Sequence, residues 1–253
     1  MRADIYLASN QYAKSRSSAQ ALIASGNVYI NGKKIEKASE NVDEGLENQV
    51  VIKELPKYVG RGGYKLEYAL KQFNVSANGA VAIDIGASTG GFTDCLLQNG
   101  AKKVYAVDSG EGQLDPLLAR DPRVVNIEKY NARNLRKDDF KDEITLAVMD
   151  VSFISQTLII PGLSALLPEG AFFVSLIKPQ FEVGRSAIGK KGIVKNPKDR
   201  INAVKSVIAF ASGCGLGCFG ISESVITGGD GNIEYVAAFK KGEPCKMEID
   251  LRR

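Results

Sequence analysis

The 253-residue chain contains no histidine and no tryptophan, and it has only four cysteines. The absence of histidine excludes a Ser-His-Asp or Cys-His nucleophile system and every metal site that requires imidazole. Any proton transfer near neutral pH must then use a carboxylate, a lysine, a tyrosine or a cysteine. Cys214 and Cys218 are separated by three intervening residues, with no second pair, so we expect reduced thiols and no metal site.

Long hydrophobic runs are also missing. The apolar runs, such as Ala171 to Val174, are far too short to span a bilayer. No basic and apolar leader with a small-residue cleavage site opens the sequence. We therefore expect a cytoplasmic protein without a membrane segment.

The net charge of +4 is modest, but its distribution is uneven. Residues 185–200 hold six Lys or Arg against one acid. A cationic segment that contains glycine favours contact with a polyanion. A solvated charged loop would give the same pattern, so the segment alone does not decide between the two.

The first 55 residues predict a small α+β domain. A short helix is expected over 17–25, and strands are expected on both sides of Asn31-Gly32 and over 49–52. Asn-Gly between apolar strands is a strong hairpin signal, because both turn positions need positive φ. Residues 56–60, which begin with proline and end with glycine, are the predicted linker to a second domain over 61–245.

Three motifs in this domain resemble the S4-like RNA-binding domain: Arg2-x-Asp4-Ile5-x-Leu7, Ser15-Arg16-Ser17-Ser18-Ala19 and Gly26-x-Val28-x-Ile30-Asn31-Gly32. Domains of that type present basic residues to structured RNA. Phosphate contacts fix orientation without reading sequence. By matching position, the resemblance implies such contacts at Arg2, Lys14, Ser15, Arg16, Lys33 and Lys34.

From about residue 61 onward, short apolar runs alternate with helical segments, including 91–99 and 155–167. This alternation predicts a parallel sheet covered on both faces. The runs are 81–83, 104–107, 124–127, 146–149 and 171–177. Two late strands, 221–226 and 234–239, are joined by a short link rich in Gly, Asp and Asn, which permits an antiparallel pair at one edge.

The first of these strands leads into a glycine-rich turn, Asp84-Ile85-Gly86-Ala87-Ser88-Thr89-Gly90-Gly91-Phe92. Ser88 breaks the dinucleotide pattern GxGxxG, and no Gly-Lys-Ser/Thr of a P-loop is present. The turn resembles the S-adenosylmethionine loop of class I methyltransferases, in which Asp84 would face the methionine end. Asp108, at the end of the next strand, would accept hydrogen bonds from ribose hydroxyls. A domain that binds another nucleotide, or none, is the alternative.

Four polar residues lie at strand and helix ends of the predicted domain. Lys65 lies in the first turn of a helix, Asp150 and Lys178 end the fourth and fifth strands, and Glu234 opens the last. The carboxyl ends of parallel strands meet at one edge, which also carries the glycine turn. This Lys-Asp-Lys-Glu set resembles the tetrad of FtsJ-type RNA 2′-O-ribose methyltransferases.

Together with the S4-like domain, the tetrad makes the chain similar to the TlyA family. Its members are often labelled hemolysins and methylate cytidine 2′-hydroxyls of ribosomal RNA. The resemblance implies a class I methyltransferase fold, a Rossmann-like α/β domain with a mostly parallel seven-stranded sheet. It implies S-adenosylmethionine as cofactor and ribosomal RNA or a ribosomal subunit as partner. The implied cofactor residues are Asp84, Gly86, Ala87, Ser88, Gly90, Gly91, Phe92, Asp108, Asn131 and Asp150.

Within the tetrad, Lys178 is the predicted general base and Asp150 orients it, while Lys65 and Glu234 position the ribose. Partial burial and the charge of Lys65 are expected to disfavour the ammonium form of Lys178. Further RNA contacts are predicted at Arg61, Arg133, Arg185, Lys190 and Lys191. Two other functions are weighed against this one: a membrane-active hemolysin, and an RNA-binding protein that holds the cofactor without catalysis.

Overall fold

The computed structural model describes residues 1–13, 15–44, 47–53, 56–184, 187–189, 192–228 and 231–246. The chain divides into two compact units, Met1–Arg61 and Gly62–Arg253. The residues predicted as a linker, 56–60, fall within the first unit.

The described residues of the first unit form two helices and a three-stranded antiparallel sheet in the order β2-β1-β3. The helices are α1 (Ala3–Ser9) and α2 (Arg16–Ala24), and the strands are β1 (Val28–Ile30), β2 (Lys33–Lys34) and β3 (Val50–Ile52). The predicted hairpin is confirmed: Asn31 and Gly32 have φ of 53° and 77° and join the paired strands β1 and β2. Leu7, Leu22 and Val28 pack in the core of this unit.

The second unit contains, within its described residues, a seven-stranded sheet in the order β6-β5-β4-β7-β8-β10-β9. The strands are β4 (Val81–Ile85), β5 (Lys103–Val107), β6 (Val124–Ile127), β7 (Leu146–Met149), β8 (Phe172–Ile177), β9 (Leu216–Glu223) and β10 (Tyr235–Lys241). The helices are α3 (Gly62–Gln72), α4 (Gly91–Gln98), α5 (Pro116–Ala119), α6 (Ile160–Leu166), α7 (Pro179–Glu182) and α8 (Pro197–Gly213). Short 3-10 helices cover Ala132–Asn134, Lys137–Asp139 and Gln156–Leu158.

The central strands are apolar on both faces because helices cover both. All four residues of β7 are buried, as are five of the six in β8. β4 to β8 pair in parallel, whereas β10 pairs antiparallel with both β8 and β9. The predicted parallel sheet with an antiparallel edge is therefore confirmed.

Two sequence predictions are wrong in their bounds. The helix expected over 155–167 is a 3-10 turn followed by α6, because Pro161 lacks an N–H and suits the first turn of a new helix. The strand expected over 221–226 begins at Leu216, directly after the left-handed Gly215 that ends the preceding turn. It ends at Glu223, because the Ser224 side chain bonds the backbone of Ile226 and turns the chain.

Candidate active site

The glycine turn after β4 needs its glycines for steric reasons. Gly86 has φ of 84°, and a Cβ there would lie 2.5 Å from the carbonyl oxygen of Asp150. Gly90 has φ of 95° and precedes α4, where a Cβ would lie 2.3 Å from Leu118 Cδ1. Ser88, between them, also has positive φ, at 48°. The turn is thus packed tightly against the ends of neighbouring elements.

Asp84 lies wholly buried beneath this turn. Its Oδ2 accepts a hydrogen bond from Thr93 Oγ1 at 2.7 Å, and Oδ1 has no hydrogen-bond partner among the described residues. Burial, opposed by the Thr93 bond and reinforced by the charge of Asp150, raises the pKa of Asp84 to about 7. A positive charge bound beside the turn would favour the ionised form of Asp84.

Asp108, at the end of β5, closes the turn from the other side. Its two oxygens accept hydrogen bonds from the backbone N–H groups of Ser88 at 2.8 Å and Gly110 at 2.7 Å. Each carboxylate oxygen has a second lone pair, so both can still accept from a ribose hydroxyl. Glu128, which sequence reasoning missed, accepts from the N–H groups of Gly112 and Gln113, and these bonds lower its pKa. The loop after Asp108 is therefore held by a carboxylate at each end.

A cleft of about 340 Å³ opens beside the glycine turn. Predicted cofactor residues in its lining are Gly86, Ser88, Asp108, Asn131 and Asp150, and its apolar lining includes Val107, Ile154 and Ile159. A cleft of this size, with polar side chains on one part of its lining and an apolar wall on another, suits a nucleoside-sized ligand. Other predicted cofactor residues, namely Ala87, Gly90, Gly91 and Phe92, are buried in the turn and in the start of α4.

The four predicted catalytic residues form two ion pairs. Lys178 Nζ lies 2.6 Å from Asp150 Oδ1 and donates to Ser152 Oγ at 2.9 Å. Lys65 Nζ lies 2.5 Å from Glu234 Oε2, and both side chains are buried. Each amine thus has a carboxylate as its nearest charged neighbour, rather than the other lysine.

Strand register gathers the two pairs at one edge of the sheet. Tyr235 pairs with Ile177 in the antiparallel β8–β10 ladder, so Glu234 and Lys178 leave adjacent strands side by side. Gly62, in the first turn of α3, lies close to Asp150: a Cβ added at Gly62 would be 3.9 Å from Asp150 Oδ2. Lys65 follows Gly62 by one helical turn, so α3 brings it to the same edge.

Sequence reasoning assigned no role to an exposed aromatic ring at this edge. Phe153 is 91% exposed, lines the cleft and has φ of 62°, a conformation that is uncommon for a bulky residue. Its ring centroid lies 5.1 Å from that of Phe181. An exposed, strained aromatic residue at a cleft indicates a binding role. The sequence feature that could have indicated this role is the position of Phe153 three residues after Asp150, a predicted catalytic residue.

The residues predicted to bind RNA have varied surroundings. In the first unit, Arg2 and Arg16 contact buried Asp4 at 2.9 and 2.8 Å. These contacts lower the pKa of Asp4, and the hydrogen bond from Arg2 has the largest effect. The other predictions fall into three groups. Ser15 caps α2, and Lys33 pairs with Glu40. Three further basic side chains are exposed: Lys34, Arg61 and Arg133. Four lie outside the described residues, namely Lys14, Arg185, Lys190 and Lys191.

The part of the chain that the structure describes contains neither a metal-binding cluster nor a membrane-spanning helix. No group of His, Cys, Asp or Glu side chains there is arranged to hold a metal ion. No helix in those ranges combines the length and the hydropathy needed to cross a bilayer.

Strand order, glycine turn and cleft define the second unit as a class I methyltransferase domain, and comparison with known proteins agrees. Residues 58–241 match the FtsJ-like methyltransferase family and residues 1–48 match the S4 domain. The chain belongs to the TlyA family of FtsJ-like methyltransferases and is an enzyme of that class. The sequence prediction of fold class and family is therefore confirmed.

Three relatives illustrate the match. A candidate rRNA methyltransferase of Bacillus subtilis, YqxC, is 48% identical over 93% of this chain and 84% of its own length. The 16S/23S rRNA (cytidine-2'-O)-methyltransferase TlyA of Mycobacterium tuberculosis is 39% identical over 92% of this chain and 87% of its own. A solved structure from Streptococcus thermophilus, described as a candidate hemolysin, superposes with a TM-score of 0.78 at 42% identity, covering 98% of this chain and 91% of that one.

Proposed function

We propose that this enzyme transfers the methyl group of S-adenosylmethionine to the 2′-hydroxyl of a cytidine in ribosomal RNA, within the cytoplasm. The observation that carries the proposal is the pair formed by Lys178 and Asp150, because Asp150 and Ser152 also line the cleft beside the glycine turn. A proton acceptor thus lies where a nucleophile must meet the cofactor.

The residues of the cleft fit S-adenosylmethionine. Asp108 offers acceptors for the ribose hydroxyls, and Gly86, which lines the cleft, offers its backbone to the methionine portion. Asp84, Asp108 and Asp150 surround the turn with carboxylates, which suits a ligand that carries a sulfonium and an ammonium. When bound, S-adenosylmethionine supplies a methyl group that is already activated for transfer.

The protein's remaining task is to align the ribose oxygen and to remove its proton. Lys178 Nζ is the acceptor of the hydroxyl proton, which requires that its ion pair with Asp150 first release a proton. Asp150, 2.6 Å away, stabilises the ammonium that results, and Ser152 holds the amine in place. Lys65 and Glu234 form a buried ion pair whose opposite charges cancel, and this pair positions the ribose without adding net charge to the site.

A target nucleotide that leaves its stacked position in the RNA needs a surface on the protein to hold its base. Unstacked bases in RNA are commonly held against aromatic rings, and each such stacking contact is worth roughly 1–3 kcal/mol. Phe153, supported by Phe181, offers an exposed ring at the cleft. The S4 unit adds phosphate contacts through Arg2, Arg16 and Lys34.

The test is transfer of tritium from labelled S-adenosylmethionine to ribosomal RNA from a strain that lacks the modification, followed by mapping of ribose methylation. Lys178→Ala is expected to abolish transfer and to leave cofactor affinity within a few fold. Lys205→Ala, an exposed lysine on α8, is the matched control. Normal turnover by Lys178→Ala, or label on a base instead of a ribose, would contradict the proposal. A liposome-leakage assay on the same preparation tests the membrane-active alternative.

A further inference from the structure

Lys178 and the polar groups that contact it lie on two different loops. One follows β7 and contains Asp150 and Ser152; the other follows β8 and contains Lys178 and α7. β7 and β8 are parallel neighbours, so both loops leave the sheet at the same edge. The contacts of Lys178 Nζ with Asp150 and Ser152 form one polar connection between the loops, and the rings of Phe153 and Phe181 meet with centroids 5.1 Å apart. Both polar contacts share a single nitrogen, so they do not by themselves fix the orientation of one loop against the other.

A second connection lies at the far end of both loops. Glu182 accepts a hydrogen bond from Ser155 Oγ at 2.6 Å and one from the backbone N–H of Gln156 at 2.9 Å. Burial raises the pKa of Glu182, against the opposite effect of these two bonds. A half-buried carboxyl group with two specific donors on another loop joins the two segments more rigidly than a fully exposed pair would.

The side chain of Gln156 extends the same connection into the sheet. Its Nε2 donates to the carbonyl oxygen of Leu176 at 2.7 Å, and its Oε1 accepts from Ser175 Oγ at 2.6 Å. Gln156 and Ser175 are buried, and Ser175 and Leu176 belong to β8. The loop after β7 is thus anchored to the strand that ends at Lys178.

Backbone strain lies between the two connections. Phe153 keeps its left-handed conformation between Ser152, which contacts Lys178, and Ser155, which contacts Glu182. Strained conformations persist only where surrounding contacts hold them. Without the distal connection, the loop could relax and carry Ser152 and Asp150 away from Lys178.

We propose that Glu182 is a positioning residue of the methyl-transfer site, whose carboxylate holds the loop over 151–156 against the segment that carries Lys178. The inference rests on the proposed function, because it concerns the geometry of the same proton acceptor. Glu182 acts through Ser155 and Gln156 and does not itself touch the reacting atoms.

The experiment compares Glu182→Gln with wild type for kcat, the KM for RNA and the dissociation constant for S-adenosylmethionine. We expect kcat to fall about 10- to 100-fold, since small displacements of reacting groups cost that much. Cofactor affinity should stay within about threefold of wild type, because Gly86 and Asp108 are not altered. The KM for RNA should rise by a smaller factor than kcat falls, because Phe153 lies on the same loop. The matched control is Glu169→Gln, an exposed glutamate that precedes β8 at the opposite edge of the sheet.

A double-mutant cycle with Ser155→Ala separates positioning from a general loss of stability. The effects of Ser155→Ala and Glu182→Gln on kcat should be strongly non-additive if both act through one hydrogen bond. Additive effects, or an unchanged kcat in Glu182→Gln, would overturn the inference. Ser155→Ala retains the Gln156 contact, so it serves if Glu182→Gln folds poorly.

Hydrogen exchange gives a readout that does not depend on catalysis. The peptide covering 150–158 should exchange faster in Glu182→Gln than in wild type, while the peptide covering β4 should not change. Unchanged protection of 150–158 would overturn the inference whatever the activity. An inactive wild-type enzyme with faster exchange in Glu182→Gln would instead contradict the proposed function alone.

Discussion

Substituting Gly86 by alanine tests whether the glycine turn positions the catalytic edge as well as the cofactor. A side chain at φ of 84° is strained by roughly 1–2 kcal/mol. The added Cβ would also lie 2.5 Å from the carbonyl oxygen of Asp150, and relief of such overpacking costs about 1–3 kcal/mol more. We therefore expect Gly86→Ala to lower the free energy of unfolding of the second unit by about 2–5 kcal/mol.

Movement of the Asp150 backbone would relieve the clash. Because the Asp150 side chain pairs with Lys178, this movement would also disturb the catalytic pair. We expect kcat/KM to fall about 100-fold and the dissociation constant for S-adenosylmethionine to rise at least tenfold. Urea unfolding followed by far-ultraviolet circular dichroism measures stability, since the chain has no tryptophan. Calorimetric titration measures cofactor affinity.

Gly170→Ala separates strain from clash. Gly170 has φ of 82°, but a Cβ there would meet nothing within 4 Å, and it lies at the opposite edge of the sheet. This variant should lose only the conformational part, roughly 1–2 kcal/mol, and keep full activity. Equal losses of stability in the two variants, with cofactor affinity intact in both, would refute the argument from close packing.

Three further predictions follow from other contacts of the second unit. The pKa of Asp84 is about 7 in the folded protein, whereas its ordinary value is 3.8. Between these two pH values the folded state therefore holds a proton on Asp84 that the unfolded state has lost. Stability should therefore decrease as pH rises from about 4 to 7 and level off above, and Asp84→Asn should remove that slope in urea titrations. Lys65→Met should cost about 3–5 kcal/mol by leaving Glu234 buried and unpaired, whereas Lys65→Met combined with Glu234→Leu should recover most of the loss in denaturation but no activity. Phe153→Gly should raise the free energy of unfolding slightly, by up to about 1 kcal/mol, and lower methylation of RNA; equal activity to wild type would remove the stacking role.

Features that depend on neighbouring residues could be predicted from the sequence. The Asn31-Gly32 turn needs positive φ at two adjacent positions, and few residue pairs supply it. The glycine turn and the parallel strands are likewise patterns of fewer than ten residues. Because the carboxyl ends of such strands meet at one edge, the grouping of Lys178 with Asp150 could also be inferred.

Contacts between distant segments could not be predicted. Asp4 accepts from both Arg2 and Arg16, so guanidinium groups predicted only to meet phosphate also hold the first unit together. Glu182 receives its two donors from 26 and 27 residues away. No periodicity marks such a partner, because its identity depends on how loops leave neighbouring strands.

The sequence by itself determined the alternation of strands and helices, the position of the glycine turn and the presence of two amines and two carboxylates in an enzyme without histidine. Only the tertiary structure decided how these four charges pair, since Lys65 and Glu234 are 169 residues apart. Local conformation depends on sterics between adjacent residues, which short patterns record. Pairing of charges depends on strand order and register, which are set by the packing of the whole sheet.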